Sequence, residues 1–213
     1  MKKLIKTKIP IEVSARHVHL SEKDMEKLFG KKEFKFSKKL SQPGQFVTNK
    51  KVDLVKNGIK LRDVDVLGPC RKQTQIEISK TESFYLGLKP PIRLSGNLKN
   101  TPGIELRNKS KNKKIKLKKG VIIAKRHLHI SEKKAKKLNL KNNQEIKISV
   151  KGKRGLIFEN VIARVSNKYK LAMHIDTDEA NAAGISKKAF GKLVWFYCIW
   201  ILWPCDTINM HVA

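Results

Sequence analysis

The chain has 213 residues, 40% hydrophobic and 31% charged, which is enough apolar material for one compact domain or two small ones and argues against wholesale disorder. Lys plus Arg (48) against Asp plus Glu (18) gives a formal charge of +30, which calls for anionic partners and says nothing of the fold. The three cysteines, Cys70, Cys198 and Cys205, have no framework spacing, so neither a disulfide scaffold nor a Cys-type zinc ribbon is supported and a reducing cytoplasm is expected.

Residues 1–11 are Lys-rich and lack an apolar core long enough for a signal peptide, so no export is expected. Residues 11–13 are β-prone and lead into Arg16-His17-Val18-His19-Leu20-Ser21-Glu22-Lys23, followed by a Lys-rich stretch predicted to be helical with Ser21 as N-cap. Short β segments come next: 45–48 after Pro43-Gly44, 52–55, 59–61, 64–67 before a Gly68-Pro69 turn, and 75–79. Residues 107–119 are a charge run, read as a solvated loop or edge hairpin, with a phosphate-binding patch as the alternative. After a β-prone run at 121–124, Arg126-His127-Leu128-His129-Ile130-Ser131-Glu132-Lys133 repeats the first motif at a distance of 110 residues, with Ser131 as the matching N-cap. Strands are predicted at 145–150, 155–158, 161–165 and 169–175, then a helix over 176–183 capped by Asp176 or Thr177 and ended by Gly184. The apolar run 193–203 is about half the roughly 20 residues a membrane-spanning helix needs and stops at Pro204. All three Trp and two of the three Cys crowd into this end, which marks residues 195–213 as an atypical apolar tail outside the functional domain. Many short strands with few brief helices predict a mainly β chain of small barrels or sandwiches.

Four of the six histidines form the two His-x-His pairs. Residues i and i+2 of a strand share a face, so each pair can offer two imidazoles to one metal ion. His174 ends a further β-prone run, and His211 lies in the tail. Imidazoles without a Cys framework favour zinc or a similar borderline divalent metal, and His17, His19, His127, His129 and His174 exceed the three protein ligands typical of one catalytic ion. Two ions sharing five His and a carboxylate would keep open positions, which points to catalysis. Spacing leaves that carboxylate open among Glu77, Asp176 and Glu179. Arg71, after Gly68-Pro69, suits bidentate phosphate recognition.

The segments from Val13 to Ser21, Gln42-Pro43-Gly44-Gln45, Leu67-Gly68-Pro69 with Arg71, Gln75-Ile76-Glu77-Ile78-Ser79, Ser95-Gly96-Asn97-Leu98, Thr101-Pro102-Gly103-Ile104, Arg126-His127-Leu128-His129, Arg154-Gly155-Leu156-Ile157-Phe158 and Met173-His174-Ile175-Asp176-Thr177-Asp178-Glu179 onward resemble, in order, the PduL-type phosphotransacylases, or phosphate propanoyltransferases. The resemblance covers about residues 9–194. It implies a zinc-dependent acyltransferase that interconverts acyl-CoA plus phosphate with acyl phosphate plus CoA. It also implies two small β-barrel domains with short capping helices: residues 1–20 packing with a C-terminal barrel of 121–194, and a central barrel of 21–120. The implied metal ligands, for two zinc ions, are His17, His19, Glu77, His127, His129 and His174. Arg71 would hold phosphate, while Val13, Ser14, Ala15 and Asn181 would touch CoA; two further CoA contacts expected in the 55–65 hairpin have no match. A homodimer is the implied assembly.

No Ser-His or Cys-His arrangement stands out, and Cys70 is the only cysteine in the family-like part, so phosphate is expected to attack the thioester directly. The short N-terminal extension favours a free cytoplasmic enzyme over a microcompartment-packaged one and makes acetyl-CoA as plausible a substrate as propanoyl-CoA. A basic nucleic-acid-binding barrel is the alternative from another class, but it leaves the His-x-His repeat unexplained and lacks interleaved aromatics. An inactive relative is a third reading. Neither a nucleic-acid nor a membrane partner is expected.

Overall fold

Strands dominate because β-branched residues alternate with polar ones: in Glu145–Val150, Ile146, Ile148 and Val150 are buried on one face while the residues between them are not. A computed structural model describes residues 7–30, 34–186 and 188–194; the expected apolar tail and His211 lie outside the described residues. In chain order the elements are β1 (Ile9–Val13), β2 (His17–Ser21), α1 (Glu22–Phe29), β3 (Phe36–Lys39), β4 (Phe46–Lys56), β5 (Ile59–Arg71) and β6 (Gln75–Glu77). There follow α2 (Lys80–Tyr85), β7 (Ile92–Arg93), β8 (Glu105–Asn108), β9 (Lys113–Lys116), β10 (Val121–Ala124) and β11 (His127–Ile130). The last elements are α3 (Glu132–Lys137), β12 (Glu145–Val150), β13 (Leu156–Val165), β14 (Ala172–Ile175), α4 (Thr177–Ala182) and β15 (Ala189–Val194).

The fold is mainly β, as predicted. Its strands form one closed six-stranded barrel, in the order β1-β14-β11-β13-β12-β15, and one nine-stranded sheet, β7-β10-β6-β2-β5-β4-β8-β9 with β3 beside β4. The sheets do not divide at residues 20 and 120. β1 closes the barrel between β14 and β15, but β2, with the first His-x-His, lies in the nine-stranded sheet between β5 and β6. Conversely β10 belongs to that sheet and β11 to the barrel. The physical reason is that each short linker, residues 14–16 and residues 125–126, changes sheets instead of continuing one. Each sheet encloses its own core, one around Leu128, Ile130, Ile148 and Met173, the other around Val18, Leu20, Leu54 and Ile76.

Several predicted strands are pieces of longer ones. Segments 59–61 and 64–67 join in the single strand β5, and Gly68-Pro69 is not a turn between strands. The β2 register skips from His19↔Leu67 to Ser21↔Arg71, so a bulge absorbs the dipeptide and redirects Arg71. The β4–β5 hairpin turns on Asn57-Gly58, both at positive φ, the arrangement a two-residue type I′ turn requires. Residues 107–119 form the expected edge hairpin, β8–β9; exposed lysines on the outer strand discourage pairing with another chain. Ser21 caps α1 through Asp24 N, whereas Ser131 makes no side-chain cap bond, for which the structure supplies no reason. α2 was not predicted, although Ser79-x-x-Glu82 is a capping box with both reciprocal bonds made.

Candidate active site

Strand alternation sends Val18 and Leu128 into the two cores, both fully buried, and so directs the flanking histidines to the opposite face. Leu128→Ala is expected to destabilise the chain by about 2–5 kcal/mol, the usual cost of an aliphatic cavity in a close-packed core. Equilibrium denaturation measures it, and a loss below about 1 kcal/mol would contradict the packing described.

The third member of each cluster follows from register. In the nine-stranded sheet His17 is paired across β6 with Glu77; in the barrel His127 is paired across β14 with His174. Ligand-type atoms of His17, His19 and Glu77 all lie within 4.8 Å of one another. The rings of His127, His129 and His174 have centroid separations of 4.7, 5.2 and 4.9 Å. Glu77 and His174 are thus counterparts in a repeat that continues beyond the His-x-His motif. Two residues on, Ser79 and Asp176 are N-caps of α2 and α4, and three further on, Glu82 and Glu179 complete the capping boxes. Each of these glutamates also receives the arginine of its motif, Arg16 to Glu82 at 2.7 Å and Arg126 to Glu179 at 2.6 Å. Asp176 and Glu179 are therefore engaged in capping, and of the three carboxylates left open by spacing only Glu77 stands within a histidine cluster.

Of the two groups, His17, His19 and Glu77 bring their donor atoms close enough together to hold a metal ion. His17 Nδ1 lies 2.9 Å from the Ala15 carbonyl and His127 Nδ1 2.9 Å from that of Lys125, so each ring donates through Nδ1–H, which leaves Nε2 of His127 as a lone pair and turns Nε2 of His17 toward Glu77 at 3.5 Å. Among the described residues His19 Nδ1 and both ring nitrogens of His129 are buried without any hydrogen-bond partner. Unsatisfied buried nitrogens are costly, and a bound cation removes that cost. Burial and neighbouring positive groups push His129 down to about 2 and His174 to about 3, and lower His19 and His127 as well, so these rings are neutral near pH 7. In the first cluster burial opposes charge on both His17 and Glu77, yet their mutual attraction wins: His17 is raised and Glu77 held well below the carboxylate range.

A pH dependence follows from the depressed histidines. Stripped of metal, the chain is expected to lose stability as pH falls from about 6.5 toward 3, because unfolded histidines take up protons there that folded His129 and His174 refuse. His17, being raised, works in the opposite sense. Thermal melts of chelator-treated protein between about pH 7 and pH 4 measure the balance; a melting temperature that does not fall would contradict this.

Both clusters open on one cleft of about 610 Å³, whose lining includes Val13, Ser14, Ala15 and Arg71. The loop before β4 forms one wall, clamped to the barrel by Gln42, which donates to Lys170 O at 3.0 Å and accepts from Lys170 N at 3.2 Å. Arg71 donates to Ser95 Oγ at 2.7 Å; Gln75 Nε2 donates to the same Ser95 Oγ at 2.8 Å and to Glu77 Oε1 at 2.5 Å. Ser95 Oγ in turn donates to Glu77 at 3.0 Å, so Arg71 is tied to the first cluster through one hydroxyl. Asn181 is exposed on α4 and is not among the described residues lining the cleft. Sequence reasoning missed Glu12, 3.6 Å from His174 Nε2, as well as Arg164 and Tyr169. The available signal for Arg164 was its parity in a strand beside the second motif, where it is in register with His129.

Fold and site together define a mainly β protein whose chemistry is gathered at the seam between a barrel and a sheet. The chain belongs to the phosphate propanoyltransferase family, whose profile matches residues 10–186, and it is an acyltransferase. It is 44% identical over 187 residues to a phosphate propanoyltransferase of Alkaliphilus metalliredigens, with 87% of each chain covered. It is 46% identical over 188 residues to that of Salmonella typhimurium, covering 87% of this chain and 89% of the relative. With that of Thermotoga maritima the identity is 47% over 189 residues, covering 88% of each. No helix among the described residues is long and apolar enough to cross a membrane.

Proposed function

We propose that this chain is a zinc-dependent phosphotransacylase that moves an acetyl or propanoyl group between CoA and inorganic phosphate, with one ion at His17, His19 and Glu77 and a second at His127, His129 and His174. The observation that carries this reading is the group of His17, His19 and Glu77 facing one cleft with three further histidines, among which buried imidazole nitrogens have no protein partner within the described residues. Zinc held there supplies Lewis acidity toward a carbonyl or phosphate oxygen and keeps open positions for substrate. Arg71 binds the phosphate dianion, and the Ser95 bond holds its guanidinium in place. Val13, Ser14 and Ala15 offer CoA a wall on the crossover between sheets, and Asn181, exposed on α4 outside that lining, would meet a part of CoA that extends beyond the cleft. A phosphate oxygen bonds to the thioester carbonyl carbon, the C–S bond breaks, and its electron pair leaves with the CoA sulfur. Fixing phosphate beside the thioester makes this an intramolecular-like encounter.

No acyl-enzyme is needed. Burial raises the Cys70 thiol, so it is a poor nucleophile near neutral pH, and it packs partly against the core of the nine-stranded sheet. Cys70→Ala is expected to keep activity within about twofold, because a residue that forms no covalent intermediate contributes nothing to the barrier. Folded, zinc-loaded C70A without activity would overturn direct transfer. Cytoplasmic residence suits a free thiol, and a homodimer would cover exposed Phe84 and Tyr85 on α2.

The deciding experiment measures phosphate-dependent release of CoA thiol from acetyl-CoA and propanoyl-CoA before chelation, after chelation and after zinc is restored. Release that needs both phosphate and metal is expected, and the two rates rank the acyl groups. Folded, zinc-loaded protein that releases no thiol would overturn the proposal.

A further inference from the structure

Arg71 and Arg164 approach the cleft from opposite sides of the seam. Arg71 ends β5, the strand parallel to β2; Arg164 lies on β13, the strand parallel to β11 and in register with His129. Each His-x-His strand thus has an arginine on its parallel neighbour, and both arginines line the cleft.

Most charged groups of the cleft are engaged, whereas the cations Lys168 and Arg164 have no ion pair among the described residues, and Arg164 is the one seen held against the second cluster. Arg16 is neutralised by Glu82, Asp65 by Lys51, and Glu77 is occupied by His17, Gln75 and Ser95. Arg164 has no ion pair or side-chain hydrogen bond among the described residues. Its guanidinium sits over the Tyr169 ring at 5.7 Å, and that ring stacks on His129 at 4.2 Å, which holds the cation beside the second cluster. Two guanidiniums that line one cleft, one hydrogen-bonded to the Ser95 hydroxyl and the other lying over a ring, suit an anion carrying more than one negative charge.

We propose that Arg164 and Arg71 form a clamp for the phosphoryl dianion that reacts with the thioester, one arginine from the sheet and one from the barrel. This rests on the phosphotransacylase reading, since it assigns the anion to the reacting phosphate. Arg71 orients it from the side of the first cluster and Arg164 from the side of the second, so the dianion bridges the two halves of the molecule. Arginine suits this task because its planar fork can give two parallel hydrogen bonds to one phosphate, which lysine cannot.

The test uses the full-length, zinc-loaded chain and its Arg164→Ala and Arg164→Lys variants, each checked for folding and metal content. Arg164→Ala is expected to raise the phosphate KM by about tenfold or more, the usual effect of losing a charge-assisted bond, while the acyl-CoA KM stays within about twofold. Arg164→Lys should recover only part of the loss. An unchanged phosphate KM overturns the clamp, and so does an equal rise in the acyl-CoA KM, which would give Arg164 to the phosphates of CoA. Thermal melts with inorganic phosphate alone separate this from failure of the reaction itself. Phosphate should stabilise the wild type more than Arg164→Ala whether or not thioester is consumed. Equal stabilisation overturns the clamp, whereas Arg164-dependent stabilisation of a chain that releases no thiol supports the anion site and removes the phosphotransacylase reading. Should Arg164→Ala not fold, the same melts and KM values for Arg164→Lys decide.

Discussion

Replacing His129 with Ala is expected to lower bound zinc by about one equivalent per chain and phosphate-dependent turnover by on the order of a hundredfold or more, with little loss of fold. His129 has the most exacting position of the five histidines. Both ring nitrogens are buried without protein partners, and its ring is enclosed by His127, His174 and Tyr169. A side chain kept only for packing would leave such nitrogens at a cost of about 1–3 kcal/mol, so without a metal its replacement would be neutral or stabilising. Metal analysis and melting curves of metal-stripped protein therefore carry the test together. Full zinc content with full activity in His129→Ala would remove it from the ligand set.

Glu77→Gln is expected to have an effect of similar size at the other cluster. Glu77 is buried, and its charge is stabilised chiefly by His17, with Arg71 adding to it. The amide keeps the volume but removes the anion, so a cation at the first cluster loses its only charged ligand and His17 loses the attraction that raises its pKa. The amide Oε1 can still accept from Gln75 and Ser95, so the Ser95 bond to Arg71 is kept, while the amide nitrogen replaces the oxygen beside His17. Turnover should fall by about a hundredfold or more, and zinc by about one equivalent, with the second cluster retained. The two variants combined should bind no zinc. If either single variant loses both equivalents, the clusters form one shared centre instead of two separate sites.

The repeated Arg-His-x-His was legible in the sequence because strand alternation alone puts its two imidazoles on one face. Glu77 was not distinguishable from Asp176 and Glu179 by spacing, since all three are acidic residues near β-prone runs. The distinguishing pattern was present nonetheless. Glu77, Ser79 and Glu82 have the same intervals as His174, Asp176 and Glu179, but the residue types differ at two of the three places, so residue identity does not carry the repeat this far. α2 was missed for a related reason, since its capping box follows a β segment without a break.

Composition and local pattern by themselves determined the mainly β class, the cap at Ser21, a helix start at Asp176 or Thr177, and the two histidine pairs, and left residues 107–119 open between a loop and an edge hairpin. These depend on neighbours one to four residues apart, whose geometry is set by backbone periodicity. Tertiary structure alone decided that linkers 14–16 and 125–126 exchange strands between barrel and sheet, that Gly68-Pro69 is absorbed in a bulge, and that Arg164 faces the same cleft as Arg71. Those outcomes depend on which strands pair and in what register, and pairing is chosen by burial of whole faces across long stretches of chain, a quantity that no local segment contains.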